Sequence, residues 1–167
     1  MLLSSVEDPA IRERRINFLS GLPRSHQERD ILYVHGSPRN PLNEYVFPED
    51  IYNERKMTQL GEKFDRVCFN GHTHIPGIFV ERDTGQWEFV GPDECTSGFS
   101  LEGRRAICNV GAVGQPRDGD WRACYVLFDG TRIWFRRVAY DFETTIRKIY
   151  AVAELENFFG DRLRDGR

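Results

Sequence analysis

Asn70-Gly71-His72-Thr73-His74 closes the short apolar run Val67-Cys68-Phe69, and two other places in the chain repeat that arrangement. Asp30-Ile31-Leu32-Tyr33-Val34 ends abruptly at His35-Gly36, and Ala106-Ile107-Cys108 empties into Asn109-Val110-Gly111-Ala112-Val113-Gly114. Short apolar runs bounded by glycine and polar residues read as buried strands feeding loops. Each of these strands delivers a polar, Gly-flanked segment from its carboxyl end. In an open α/β sheet ligands bind along that edge, so the sequence places its unusual chemistry on one rim.

The flanking segments fit an α/β chain. Asp8-Pro9 opens a helix as N-cap and first turn, with a rough apolar face from Ile11, Ile16, Phe18 and Leu19 and a stop at Gly21 and Pro23. Pro48-Glu49-Asp50 starts a mostly polar helix expected to run to about Leu60. Gly77–Val80 and Gln86–Val90 flank Asp83-Thr84-Gly85, a hairpin signal, and the Gly-, Ser- and Pro-containing stretch 91–103 reads as loop. Ala123–Phe128 and Thr131–Val138 are joined by Asp129-Gly130, a second and stronger hairpin signal. Arg132 to Arg137 alternates with Ile133, Trp134 and Phe135, a strand with a solvated edge or face, and Asp141 caps an amphipathic C-terminal helix. No repeat or linker divides residues 1–167, which are expected to form one domain.

Composition narrows the function classes. A net charge of −3 offers no signal for a nucleic-acid partner. No apolar stretch approaches the roughly 20 residues that span a bilayer, and Met1 to Glu7 turns polar too early for a signal peptide, so a cytoplasmic location is expected. Cys68, Cys95, Cys108 and Cys124 form no C-x-x-C pair, and three of them lie in apolar runs, where a reduced thiol acts as a small hydrophobe.

Three of the four histidines, His35, His72 and His74, fall in the rim turns, whereas His26 lies in a polar surface stretch. In an extended segment His72 and His74 would point the same way. Gly71 permits a sharp bend just before them. Imidazoles gathered this way suit a borderline divalent metal such as zinc, manganese or iron. Spacing alone leaves two bland readings open: hydrogen-bonded structural histidines, or an unrelated three-histidine site in a small β-barrel.

In that order, Val34-His35-Gly36, Asn70-Gly71-His72-Thr73-His74-Ile75-Pro76-Gly77 and Asn109-Val110-Gly111-Ala112-Val113-Gly114-Gln115-Pro116-Arg117 resemble the last three motifs of the calcineurin-like metallophosphoesterases. The small bacterial phosphoesterases and protein-phosphatase-like members are the most similar branch. The resemblance implies the C-terminal portion of a four-layer α/β/β/α sandwich and metal-dependent hydrolysis of phosphate mono- or diesters. It implies a divalent metal pair (Mn, Fe, Zn or Ni), with His35 and His72 as ligands of one ion and His74 of the other. Gly71, Asn109 and Gly111 match site-lining positions. Arg39 and Arg117 are candidate contacts for a phosphate-ester substrate, because a guanidinium suits phosphate oxygens.

The sequence also departs from that family. The Asp-x-His, Gly-Asp-x-x-Asp and Gly-Asn-His motifs, which carry the carboxylates, an asparagine ligand and the general-acid histidine, do not occur. No catalytic residue is therefore assigned. Two dications about 3.5–4 Å apart repel by roughly 17–19 kcal/mol at an effective dielectric constant of about 20, and neutral imidazoles do not offset that. The chain alone is expected to bind at most one metal, weakly, and to hydrolyse phosphate esters poorly. It is also expected to leave an apolar sheet edge exposed. A separate N-terminal half chain, a homo-oligomer, an internal start at Met1 or a frameshift would account for the missing strands. The competing reading is a non-catalytic interaction module of the same fold.

Overall fold

Asp8 accepts a hydrogen bond from the Ala10 amide at 2.9 Å, which caps helix α1 (Pro9–Ser20) in the computed structural model; the structure describes residues 8–167. The expectation for Met1 to Glu7 lies outside the described residues. Every residue of α1 is exposed, contrary to the expected apolar face. Ile11, Ile16, Phe18 and Leu19 are spread around the helix and build no single stripe to bury.

Nine strands follow, in two sheets. The larger holds β1 (Ser25–Glu28), β2 (Ile31–Val34), β3 (Val67–Asn70), β4 (Gly77–Glu81), β5 (Trp87–Val90) and β7 (Ala106–Asn109) in the order β1-β2-β3-β7-β4-β5. Its centre, β2-β3-β7, is parallel, and the flanking pairs are antiparallel. The smaller sheet is β6 (Phe99–Ser100), β9 (Arg132–Val138) and β8 (Ala123–Phe128), in that order. β9 is thus central: Arg132 and Arg136 lie on the face opposite the buried Ile133 and Phe135, whereas Arg137 shares their face and pairs with Asp118. The wholly exposed β1 and the two-residue β6 went unread in the sequence.

The apolar runs are continuous because the central strands are buried on both faces. Val67, Phe69, Ile78, Val80, Ala106 and Cys108 face the second sheet, where they meet Cys124, Ile133 and Phe135. The intervening Cys68, Phe79 and Ile107 face the other way, onto Met57, Leu60 and Phe64. Met57 and Leu60, one turn apart on α2 (Glu54–Gly61), are fully buried, each stabilising the fold by about 1.5–3 kcal/mol.

The single helix expected from Pro48 is two elements. A 3-10 turn covers Pro48–Tyr52, and Asn53 then accepts from the Lys56 amide at 3.0 Å to cap α2. A second 3-10 turn, Pro92–Cys95, interrupts the expected 91–103 loop. The C-terminal helix is likewise a pair, α3 (Phe142–Tyr150), capped by Asp141, and α4 (Phe158–Asp165), packed together over the buried Ile146 and Leu163. All four cysteines are buried and free, and burial pushes the Cys68 thiol up to about 12. The expected exposed apolar edge is present at β8, where Tyr125 and Leu127 reach solvent. Among the described residues no helix is long and apolar enough to cross a membrane.

Candidate functional site

The parallel register aligns Tyr33 with Phe69, Phe69 with Cys108 and Asn70 with Asn109, so β2, β3 and β7 end side by side. The residues just beyond them enclose a cavity of about 560 Å³ whose lining includes His35, Gly71, His72, His74, Gly111 and Gln115. The rim read from the sequence is therefore a single hollow.

Within it, His35 Nε2 and His72 Nδ1 share a hydrogen bond of 2.8 Å, one ring donating and the other accepting. Two nitrogens on one tetrahedral cation, each at about 2.0–2.1 Å, would lie about 3.3–3.4 Å apart, so 2.8 Å is the spacing of a hydrogen bond. The Tyr45 ring stacks on His72 at 3.9 Å and 17°. His74 turns elsewhere: its Nδ1 donates to the Gln115 carbonyl at 2.7 Å, which leaves Nε2 as the free ring acceptor. A ring nitrogen anchored to a carbonyl is the usual support of a metal-binding histidine.

The segment is not extended, which corrects the expectation that His72 and His74 point the same way. Both occupy the left-handed region, with φ of 67° and 62°. That conformation is uncommon outside glycine, and the surrounding structure must hold it in place. Asn109 does much of this. Fully buried, it donates through Nδ2 to the Gly71 carbonyl (2.8 Å) and Thr73 Oγ1 (2.7 Å), and its Oδ1 accepts from the Gly111 amide (3.0 Å). Gly111 itself, at φ 77°, has Cys124 side-chain atoms 2.9 Å from where a Cβ would stand. Asn70 Nδ2 donates to the Gly36 carbonyl at 2.9 Å, tying the His35 turn to β3.

The electrostatics are one-sided. Burial lowers the pKa of His72 and His74 first, and nearby positive groups lower both further: His35 and Arg117 for each, and Arg162 for His74. Among the described residues no carboxylate lines the cavity, and no group of three or more His, Cys, Asp or Glu side chains could hold a metal ion. The side chains at the rim, among the described residues, do not fit the expected metal pair.

The two candidate arginines part company. Arg39 grips the Glu44 carboxylate through Nε (3.0 and 2.9 Å) and Nη2 and also bonds Gln59, so its charge is already matched. Arg117 forms no ion pair among the described residues. Its Nη2 donates to Gln115 Oε1 at 2.9 Å, while its buried Nε has no partner. Sequence reasoning missed Tyr45 and Gln115. They sit in irregular loops and act through a ring face or a main-chain carbonyl, so no motif marks them.

No family model matches the chain. A crystal structure of a metallophosphoesterase from Sphaerobacter thermophilus superposes with a TM-score of 0.78 at 34% identity, covering 92% of this chain and 62% of that one. The chain has a calcineurin-like metallophosphoesterase fold. Hypothetical protein PH1004 from Pyrococcus horikoshii OT3 shares the fold alone, at TM-score 0.62 and 19% identity over 99% of this chain and 64% of its own. The uncharacterized protein MJ0912 of Methanocaldococcus jannaschii is 30% identical over 94% of this chain and 62% of its own length. This metallophosphoesterase-fold chain thus spans less than two thirds of each of these relatives.

Proposed function

We propose that this chain forms the histidine side of a metal-dependent phosphoric-ester hydrolase site. The observation that carries the reading is the convergence of His35 Nε2 and His72 Nδ1 at 2.8 Å, beside a separately anchored His74. In this reading His35 and His72 hold one divalent ion and His74 faces a second. When bound, such ions supply Lewis-acid polarisation of a phosphoryl oxygen. The chain's own contribution is to fix the imidazoles, through Tyr45 and Gln115, and to hold the turns with Asn70 and Asn109. Arg117 is placed to favour an anionic ester, since its positive charge reaches His72 and His74 and no carboxylate neutralises it among the described residues. Among the described residues no carboxylate lines the cavity to serve a metal pair.

Calorimetric titration of the chelator-treated chain with Mn²⁺ and Zn²⁺ tests this. The expected result is one weak equivalent, lost in both His35→Ala and His72→Ala and retained in His74→Ala, with little turnover of p-nitrophenyl phosphate. Absence of binding, or binding indifferent to His35 and His72, refutes the metal assignment, and robust turnover by the chain alone refutes the half-site. The acid-free cavity favours one other reading, a metallophosphoesterase-like module used for protein contacts. A chain without metal affinity would support it.

A further inference from the structure

His72 is held by a loop, not by its own strand. Its backbone is left-handed, and the segment around it belongs to no regular element. The ring direction therefore depends on what packs against the imidazole, and that packing comes from residues 36–47, which follow β2. The loop is closed at its base by Gly36 N to Pro41 O (2.6 Å) and Ser37 N to Asn40 O (3.0 Å). Ser37 and Arg39 both bond Glu44, and Lys56 Nζ reaches down from α2 to the Tyr45 carbonyl at 2.9 Å. From this pinned loop the Tyr45 ring lies nearly parallel to His72 at 3.9 Å, and Phe47 backs Tyr45 in turn, at 5.5 Å and 9°.

We infer that Tyr45 is a positioning residue for His72: its ring face holds the imidazole in the orientation that turns Nδ1 towards His35 Nε2. The functional meaning of this rests on His72 being a metal ligand; the orientation itself does not. The inference also gives Arg39 a role that its type did not suggest. Through Glu44 it stabilises the loop that carries Tyr45 instead of meeting substrate.

Two readouts on the full chain test it. In the metal-free protein, NMR of the histidine rings should show the His72 protons displaced upfield by the Tyr45 ring current, with a through-space contact to the His35 ring. Tyr45→Phe should keep both features. Tyr45→Ala and Tyr45→Leu should lose both, with the melting transition retained; if Tyr45→Ala does not fold, Tyr45→Leu decides. In a Co²⁺ titration followed by visible absorption, Tyr45→Phe should match wild type within about twofold. Tyr45→Leu should weaken binding by about tenfold or more, the range for losing a group that orients a ligand. A His35–His72 contact unchanged in a folded Tyr45→Leu overturns the inference, as does a loss in Tyr45→Phe equal to that in Tyr45→Leu. If wild type fails to bind Co²⁺, the metal reading falls while the ring contact still decides the role of Tyr45.

Discussion

Replacing Asn109 with alanine should destabilise the chain by about 3 kcal/mol, far more than the same change at Asn70. Asn109 is fully buried and makes three hydrogen bonds, to the Gly71 carbonyl, to Thr73 Oγ1 and from the Gly111 amide. Each is worth about 0.5–1.5 kcal/mol net, and losing them leaves buried partners unsatisfied, which favours the upper part of the summed range. Asn70, 2% exposed, makes one side-chain bond, to the Gly36 carbonyl, and its Oδ1 has no partner. Its removal costs one bond and also relieves an orphaned acceptor, so about 1 kcal/mol is expected. Asn109→Asp keeps the acceptor for Gly111, loses both donors and brings a charge into a buried position, so it should be at least as costly as alanine. Urea unfolding followed by circular dichroism, with the denaturant slope unchanged, measures all three. Equal costs at positions 109 and 70, or a cost at 109 near 1 kcal/mol, would refute the claim that Asn109 is the strut of the histidine turn.

Two further outcomes follow from the same geometry. Gly111→Ala meets both a left-handed backbone and Cys124 side-chain atoms at 2.9 Å, whereas Gly85→Ala, at φ 79°, meets no atom within 4 Å. The first should cost about 3 kcal/mol and the second about 1, and equal shifts in urea midpoint would exclude a packing contribution at Gly111. Glu44 is held below the ordinary glutamate range, chiefly by its hydrogen bond from Arg39. A depressed carboxylate contributes stability above its unfolded pKa of about 4.3 and loses it as pH falls through the folded value. Thermal melting from pH 7 to 3 should therefore show wild type losing its advantage over Glu44→Gln below about pH 4, and a constant difference between them would exclude the linkage.

What could be read from the sequence depended on how local each cause is. Val67-Cys68-Phe69 and Ala106-Ile107-Cys108 announce themselves because strands buried on both faces must be apolar throughout, and each stops where its chain turns polar. The hairpins were legible from Asp83-Thr84-Gly85 and Asp129-Gly130, since turn chemistry is confined to a few residues. β1 was illegible: all four of its residues are exposed, and its strand character comes from pairing with β2 alone. Asn53 was overlooked as a cap because Pro48 already offered a helix start. At the site, the sequence located His35, His72 and His74 but not their directions, which depend on Tyr45 and Gln115 across the fold. Arg39 and Arg117 looked alike in sequence. Only the structure shows that Glu44 satisfies one, while the other has no carboxylate partner among the described residues.

That asymmetry bears on how the site works. Burial and positive neighbours both disfavour protonated imidazole at His72 and His74, and neutral imidazole is the form that binds metals. The same positive neighbours disfavour a dication. Two ions about 3.5–4 Å apart would add a mutual repulsion of roughly 17–19 kcal/mol at an effective dielectric constant of about 20, and among the described residues no carboxylate lines the cavity. The described rim is thus a histidine face braced by Asn109 and stacked on Tyr45, with no carboxylate lining it among the described residues.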